Sequence, residues 1–189
     1  MATSNNSIIT GRLRGSIGKE LVFREWEGKT IVAKAPGKRK GAPTTAQAEI
    51  QEKFFMASRY GKAISSNADP ALSDAYRAVL RPRQQLYARA VEDFLKSPEV
   101  KFIDTGNYNG SAGSTLLIRA IDDFRVTEVS VEIYDASGSL QERGNAVQNV
   151  NGLDWTYTAK LDNSLPAGSR IKVTAKDIPG NTGSLETVI

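Results

Sequence analysis

In "VTEVSVEIYD" (126–135), the stretch that indicates the fold of the C-terminal half most clearly, apolar and polar residues alternate. Val129, Val131 and Ile133 share one face, and the residues between them are polar or amphipathic. Successive side chains of a strand point to opposite faces of the sheet. The pattern therefore predicts an antiparallel strand with one buried face and one solvated face.

Segments of the same kind surround this strand. After the Gly/Asn/Ser-rich connector "DTGNYNGSAGS", the chain is a series of short alternating runs bounded by turn residues. About seven short strands at such spacing predict a β-sandwich. In chain order the runs are "TLLIRAI", "VTEVSVEIYD", "LQERG", "AVQNV", "DWTYTAKL", "RIKVTAKD" and "GSLETVI".

Three helices are expected before the connector. Thr44 followed by Gln47 is a capping-box pattern that starts the first helix. Asp69-Pro70 starts the second, and the third ends before Pro98. The apolar stripes are Ile50, Phe54, Ala57, Gly61 and Ile64 in the first helix, Leu72, Tyr76 and Val79 in the second, and Leu86, Ala90 and Phe94 in the third.

The N-terminal segment predicts a β-hairpin. "ELVFREW" and "KTIVAKA" are two strand-like runs separated by Glu27-Gly28, a turn in which glycine tolerates a positive φ. Pairing across this turn gives two faces that are both partly apolar. An earlier piece, "SIITGRLRG", is a candidate third strand.

The end of the chain resembles a known family. In "GSRIKVTAKDIPGNTGSLETV" (168–188) an alternating strand is followed by A-x-D-x-x-G-N and a last strand, and Ala175, Asp177, Gly180 and Asn181 match that pattern. This is similar to the final strands of bacterial immunoglobulin-like (Big-type) domains, and "GLDWTYTAKL" resembles the strand that precedes them. The resemblance covers about residues 113–189. It implies a sandwich without catalytic residues, used as a spacer, an adhesin or a virion or surface decoration.

The N-terminal half has a second resemblance. "GSIGKELVFREWEGKTIVAKAP" followed by "PTTAQAEIQEKFFMASRYGKA" is similar to small uncharacterised bacterial proteins with a G-K-x-x-V-F-R, G-K-T-x-V, P-T-x-x-Q order. That resemblance implies no activity. The whole chain is therefore expected to be α+β with two domains: a basic β-hairpin plus three-helix domain over 1–100, a linker over 101–113 and an all-β Ig-like sandwich over 114–189.

Composition excludes much chemistry. The chain has no cysteine and no histidine, so disulfides, Cys/His zinc sites, thiol nucleophiles and imidazole bases are all absent. We therefore expect no enzyme, no cofactor and no small-molecule substrate. No run approaches the roughly 18 apolar residues of a membrane helix, and the N-terminus lacks the features of a secretory signal. We expect synthesis in the cytoplasm, without a membrane partner, and an extracellular or virion-associated location only after assembly.

Acidic residues suggest no metal site. Asp104, Asp122 and Asp123 are the only group suggestive of metal or acid–base work, and loop aspartates in Ig-like domains usually form turns. We therefore expect no metal ligand and no catalytic pair among them.

Charge is unevenly spread along the chain. Residues 1–101 carry 18 Lys/Arg against 10 Asp/Glu, a net charge of +8, whereas residues 102–189 carry 7 against 11, a net charge of −4. Either the basic half faces a polyanion, or unlike halves of neighbouring subunits attract one another.

The basic cluster near the N-terminus has two interpretations. Combined with nearby aromatic residues, it could track phosphates and stack bases. It could equally be the solvated hairpin and bend, which is the interpretation favoured here for Lys38-Arg39-Lys40, because no known nucleic-acid-binding signature accompanies it. The residues of the nucleic-acid alternative are Arg12, Arg14, Lys19, Lys34, Lys38, Arg39 and Lys40.

The sequence thus predicts a non-enzymatic structural protein that assembles with itself into a filament, sheath or virion-like particle. The basic N-terminal domain would form the lattice by strand addition at sheet edges and by charge attraction, with the Ig-like domain as decoration or interaction module. Nucleic-acid binding is the alternative. The predicted subunit-interface residues are Phe23, Trp26, Ile31 and Val32 in the hairpin, with Arg81 and Arg83 as ionic contacts.

Overall fold

The computed structural model describes residues 13–37, 41–163 and 167–189 and the backbone of 2–4. Its Cα atoms divide into two compact units, Met1–Thr44 and Thr45–Ile189. The second unit contains both the helices and the strands that follow them. With three helices and three antiparallel sheets, the chain is a mixed α+β protein, as the sequence predicts.

The first unit, called the sheet unit below, is a single antiparallel sheet. Its strands are β1 (Ala2–Ser4), β2 (Gly15–Ile17), β3 (Leu21–Trp26) and β4 (Lys29–Lys34), in the order β1-β4-β3-β2. The predicted hairpin is confirmed, and Trp26 pairs with Lys29 across the turn. Glu27 and Gly28 have φ values of 50° and 75°, as a two-residue turn that matches strand twist requires. Most of the candidate strand in "SIITGRLRG" lies outside the described residues.

The three predicted helices are present as α1 (Thr45–Ser65), α2 (Pro70–Ala78) and α3 (Leu86–Leu95). At the start of α2, Asp69 accepts a hydrogen bond from the backbone N–H of Leu72 at 3.1 Å. This is the N-cap that Asp69-Pro70 predicts. The helices share a small core of Ile64, Tyr76 and Ala90, with Phe124 from the following strands packed against it.

The predicted apolar stripe of α1 is only half buried. Ala57 and Ile64 are buried, but Ile50 and Phe54 on the same face are 69% and 54% exposed. The reason is length, because α1 has 21 residues and its partner α3 has 10. At 1.5 Å per residue, α3 covers only the C-terminal half of α1. In α2, Val79 follows the last helical residue and is exposed as well.

Eight strands complete the second unit. They are β5 (Glu99–Asp104), β6 (Thr115–Ile121), β7 (Val126–Tyr134), β8 (Leu140–Asn145), β9 (Val147–Gln148), β10 (Asp154–Thr158), β11 (Arg170–Asp177) and β12 (Thr182–Val188). One sheet has the order β5-β6-β10-β9 and the other β12-β11-β7-β8. The segment 101–113, expected to be a linker, includes the second half of β5.

The two sheets of the second unit enclose one hydrophobic core. On β7, Val129, Val131 and Ile133 are buried, so the predicted buried face of this strand is confirmed. Leu116, Ile118, Trp155 and Tyr157 face them from the other sheet, and the inward residues of β11 complete the cluster. In the part of the chain that the structure describes, no helix combines the length and apolar character needed to cross a membrane.

Candidate subunit-interface surfaces

A polar network in the interior joins the three helices to one another. The Tyr76 hydroxyl donates to Asp93 Oδ2 at 2.6 Å, and the Tyr60 hydroxyl lies 2.9 Å from that of Tyr76. Asp93 is 1% exposed. Burial raises the pKa of Asp93 to about 6, although the Tyr76 hydrogen bond acts in the opposite direction. Burial and the adjacent carboxylate also raise the pKa of Tyr76.

Further hydrogen bonds attach α3 and the residue after it to two turns between strands. The Arg89 guanidinium donates to the backbone carbonyl of Asp123 at 2.6 Å, and Lys96 Nζ lies 2.8 Å from Asp123 Oδ2. Lys96 holds the pKa of Asp123 below its ordinary value. The Asn181 side-chain amide donates to the carbonyl oxygens of Phe94 and Lys96 at 3.1 and 3.0 Å. These contacts terminate the helix against the β6–β7 and β11–β12 turns.

The "DIPGN" segment (177–181) forms the turn between β11 and β12. Asp177 Oδ1 accepts hydrogen bonds from the backbone N–H groups of Gly180 and Asn181 at 2.7 and 2.6 Å. Asp177 is 2% exposed. The Asp177 carboxylate therefore accepts the hydrogen bonds of the backbone N–H groups in the turn. The turn also places the Asn181 side chain next to the C-terminal end of α3.

The candidate metal ligands do not converge. Asp104 Oδ1 accepts from the Gly106 N–H at 2.9 Å, and Asp122 Oδ2 accepts from the N–H of Phe124 at 3.1 Å. Asp123 pairs with Lys96. Within residues 13–37, 41–163 and 167–189, no three acidic side chains are grouped to hold a metal ion.

One face of the sheet unit presents an aromatic side chain between cations. Trp26 is 66% exposed. Its cross-strand neighbour is Lys29, and Arg24, two residues earlier on the same face, pairs with Ile31. We call this the Trp26 face, and its residues are Val22, Arg24, Trp26, Lys29, Ile31 and Ala33.

The four predicted hairpin residues do not form one surface. Phe23 and Val32 are cross-strand neighbours on the opposite face from Trp26 and Ile31. Phe23 is 8% exposed, so it contributes to internal packing. In the sheet unit β3 and β4 are the two central strands and β1 and β2 occupy the edges, so strand addition would have to use β1 or β2. An accessible contact by the hairpin therefore uses a face of the sheet and not the edge of β3 or β4.

A second exposed surface lies in the second unit, between α1 and α3. It is an open hollow of about 350 Å³. Met56, which is 51% exposed, and the half-buried Phe94 supply its apolar part. Lys53, on the same helix face, donates to the carbonyl oxygen of Leu95 at 3.1 Å. We call it the Phe94 hollow, and its lining residues are Glu49, Glu52, Lys53, Met56, Phe94 and Asn181.

The predicted ionic contacts occupy the turn between α2 and α3. Both Arg81 and Arg83 are exposed. Arg81 Nη2 lies 3.8 Å from Glu92 Oε1, so its charge is already partly balanced within the chain. Arg83 has a φ of 67°, which is unusual for a residue with a side chain.

The residues of the nucleic-acid alternative are only partly described. Arg12, Lys38, Arg39 and Lys40 lie outside the described residues. Lys19 and Lys34 are exposed. Arg14 Nε donates to Glu25 Oε2 at 2.9 Å. Of the described members, Arg14 is therefore paired with an acidic neighbour.

Sequence reasoning missed the buried carboxylate and the acidic side of the hollow. Asp93 lies three residues after Ala90, so helical spacing places it on the apolar face of α3. That position is the signal that could have revealed it. Glu49 and Glu52 carry no such signal, because their significance depends on where Phe94 lies.

Comparison with known proteins gives only distant similarities. No family model and no curated protein matches the chain. Among solved structures, an engineered protein has 22% identity and a TM-score of 0.33, over 41% of this chain and 16% of that one. Two structures of the S-layer protein SbsC have 15% identity, with TM-scores of 0.33 and 0.31, over 76% and 75% of this chain. The chain spans only 24% and 23% of those two structures.

Proposed function

We propose that this chain is a non-enzymatic structural protein that assembles with further copies of itself through its sheet unit. The observation that carries the proposal is the poor burial of that unit. Among its described residues only Phe23 and Thr30 are buried, while Leu13, Ile17, Leu21 and Trp26 are exposed. A small sheet that leaves its apolar side chains exposed gains stability when another surface covers them.

Charge supports the same proposal. Residues 1–44 carry nine Lys/Arg against three Asp/Glu, a net charge of +6, and residues 45–189 carry 16 against 18, a net charge of −2. Unlike charges on the two units of neighbouring copies favour contact between the first unit of one copy and the second unit of another. The absence of histidine and cysteine, and the use of Asp104, Asp122 and Asp123 in turns and an ion pair, fit a structural role.

We also propose that the strands of the second unit form an Ig-like sandwich that serves as decoration or interaction module. If β5, β6, β7, β10, β11 and β12 correspond to strands A, B, C, E, F and G, the two sheets have the orders A-B-E and G-F-C, with β9 beside E and β8 beside C. That arrangement agrees with the immunoglobulin pattern of A-B-E-D against C-F-G. The match of Ala175, Asp177, Gly180 and Asn181 to the Big-type ending supports the same assignment.

Light scattering coupled to size-exclusion chromatography tests self-assembly. The full chain is run at about physiological salt over a hundredfold range of concentration, with absorbance recorded at 260 and 280 nm. We expect a mass that grows with concentration and an absorbance ratio typical of protein. A mass that stays monomeric at the highest concentration would contradict the proposal.

Nucleic-acid binding is the second candidate, and the Trp26 face is the observation that favours it. An exposed indole between Arg24 and Lys29 has the composition of a base-stacking platform with phosphate-binding cations. Fluorescence anisotropy with a labelled single-stranded oligonucleotide tests it at several salt concentrations. Affinity that falls steeply with salt, and that is lost when Lys38, Arg39 and Lys40 are changed to Glu, would support this candidate. Equal anisotropy with and without protein would exclude it.

A further inference from the structure

Two surfaces on different units of the chain are complementary in charge, and both expose apolar side chains. The Trp26 face projects one large indole, 66% exposed, with Arg24 and Lys29 beside it. The Phe94 hollow is a shallow depression that offers Met56 and Phe94, with Glu49 and Glu52 on its α1 side. An aromatic side chain flanked by cations and an apolar hollow flanked by carboxylates are the features of a matched protein interface.

The hollow suits an aromatic anchor better than a small ligand. Its volume of about 350 Å³ is at the lower end of ligand pockets. It is shallow and widely open to solvent. Its polar groups are the two carboxylates, the Lys53 ammonium and the Asn181 amide. Lys53 is the one cation in its lining, and its ammonium is bonded to the carbonyl oxygen of Leu95. Two carboxylates against one engaged ammonium leave the hollow attractive to a basic surface.

We propose that the Trp26 face of one copy docks into the Phe94 hollow of a second copy, with the indole against Met56 and Phe94 and with Arg24 and Lys29 facing Glu49 and Glu52. This inference rests on the proposed self-assembly and names its contact. Each copy carries both surfaces, so the contact is heterologous and repeats from copy to copy, producing a ring if the rotation closes and a filament if it does not.

The expected strength of one such contact is modest. An aromatic side chain buries about 150–250 Å², whereas a standard interface buries roughly 800 Å² per partner. Ile50 and Phe54 are further exposed apolar side chains on the N-terminal half of α1. Association is therefore concentration-dependent, and the Trp26 anchor accounts for a large share of it.

A charge exchange between the two surfaces tests the contact. One variant carries Glu49→Lys and Glu52→Lys, which makes both of its docking surfaces basic. The other carries Arg24→Glu and Lys29→Glu, which makes both acidic. Each variant alone is expected to lose self-association by at least about tenfold in dissociation constant, because like charges face each other. An equimolar mixture is expected to recover association, because every contact then joins a basic surface to an acidic one.

The possible outcomes separate the inference from the proposed function. If the wild-type chain is monomeric at all concentrations, both fail. If the wild type assembles and each variant alone assembles equally well, this contact is wrong while self-assembly stands. If only the Glu49→Lys/Glu52→Lys variant fails to assemble, the partner of α1 is another surface, such as α1 of a second copy. Unchanged thermal unfolding by circular dichroism verifies that both variants fold.

The aromatic anchor has its own test and a matched control. Trp26→Ala is expected to weaken self-association about 30-fold, as truncation of an interface hot spot of 2 kcal/mol does. Val150→Ala removes apolar surface of a fully exposed side chain on the sandwich and is expected to leave association unchanged. Equal effects of the two substitutions on the dissociation constant would overturn the role of Trp26.

Discussion

The two packed sheets of the second unit (the sandwich below) and the sheet unit are all antiparallel. They nevertheless bury very different amounts of apolar surface. In the sandwich, inward side chains of two four-stranded sheets form one continuous cluster that includes Leu116, Ile118, Val131 and Ile171, each with 0% exposure. In the sheet unit, Phe23 is the one large apolar side chain that is buried among the described residues. Alternating strands therefore enclose an internal core in the sandwich, whereas in the sheet unit they leave most of their apolar side chains exposed.

The difference shows what closing a sheet against a second layer achieves. Each buried Val, Leu or Ile of the sandwich contributes about 1.5–3 kcal/mol relative to exposure. The exposed Trp26, Ile17 and Leu21 contribute no comparable term.

The largest effect is expected where β12 approaches the segment that leads into β5. A Cβ atom on Gly183 would overlap the carbonyl oxygen of Pro98. Because the neighbour is backbone and not a flexible side chain, Gly183→Ala should destabilise the second unit by about 3 kcal/mol or more. Urea unfolding followed by circular dichroism measures this. Ser184→Ala, an exposed position on the same strand, is the control and should change stability by less than about 0.5 kcal/mol. Equal stability of the two variants would show that the close approach is not required.

The next effect depends on pH and on Asp93. The pKa of Asp93 is raised to about 6 in the folded chain from 3.8, so the folded state binds more protons than the unfolded state between these values. Protonation of Asp93 therefore contributes fully to the free energy of unfolding below about pH 4. This contribution, on the order of 3 kcal/mol, is lost as the pH rises through 6. Asp93→Asn should remove this component. The measurement is the difference in unfolding free energy between wild type and Asp93→Asn from pH 4 to 7.5. A difference that is constant with pH would contradict the prediction.

A smaller effect is expected at the β8 edge of the sandwich. Glu142 is 7% exposed and accepts hydrogen bonds from the Tyr157 hydroxyl and the Lys160 N–H, both at 2.7 Å. Both of these bonds go to Oε1, whereas Oε2 accepts from the Leu161 N–H at 3.3 Å. Glu142→Gln therefore replaces the Oε2 acceptor by a donor and leaves the Leu161 N–H unsatisfied, at a cost of about 2 kcal/mol. Thermal unfolding measures the loss. Glu128→Gln, at an exposed position on β7, is the control. A melting temperature of Glu142→Gln equal to that of the control would exclude a structural role for this carboxylate.

The smallest effect is expected in the sheet unit. Phe23→Ala removes its one large buried side chain, so amide exchange in β3 and β4 should accelerate about tenfold, as a loss of about 1.4 kcal/mol in local opening energy predicts. Trp26→Ala, on the exposed face of the same strand, should leave these exchange rates nearly unchanged at dilutions where the chain is monomeric. Hydrogen exchange followed by mass spectrometry distinguishes the two. Similar acceleration in both variants would mean that the two faces of the sheet are equally buried.

The features that local sequence patterns govern could be predicted. The alternation around Val129 predicts β7, the Glu27-Gly28 pair predicts the hairpin turn, and Asp69-Pro70 predicts the start of α2. Each depends on residues within a few positions of one another, where strand periodicity and turn chemistry act.

The features that depend on partners distant in sequence could not be predicted. The exposure of Ile50 and Phe54 follows from the shortness of α3, and the covered edges of the hairpin follow from β1 and β2. The Phe94 hollow needs residues from α1, α3 and the β11–β12 turn. Its composition is therefore a property of tertiary packing, to which no local pattern corresponds.

The Asn181 amide has a consequence for the order in which the chain folds during synthesis. Its acceptor at Lys96 precedes it by 85 residues. At a translation rate of about 5–20 residues per second, roughly 4–17 s separate the synthesis of the two groups. During that interval the carbonyl oxygens of Phe94 and Lys96 lack this donor and are open to water. The helices therefore acquire their final C-terminal cap only when the last hairpin has been made, and docking of that turn is a late step on the folding pathway.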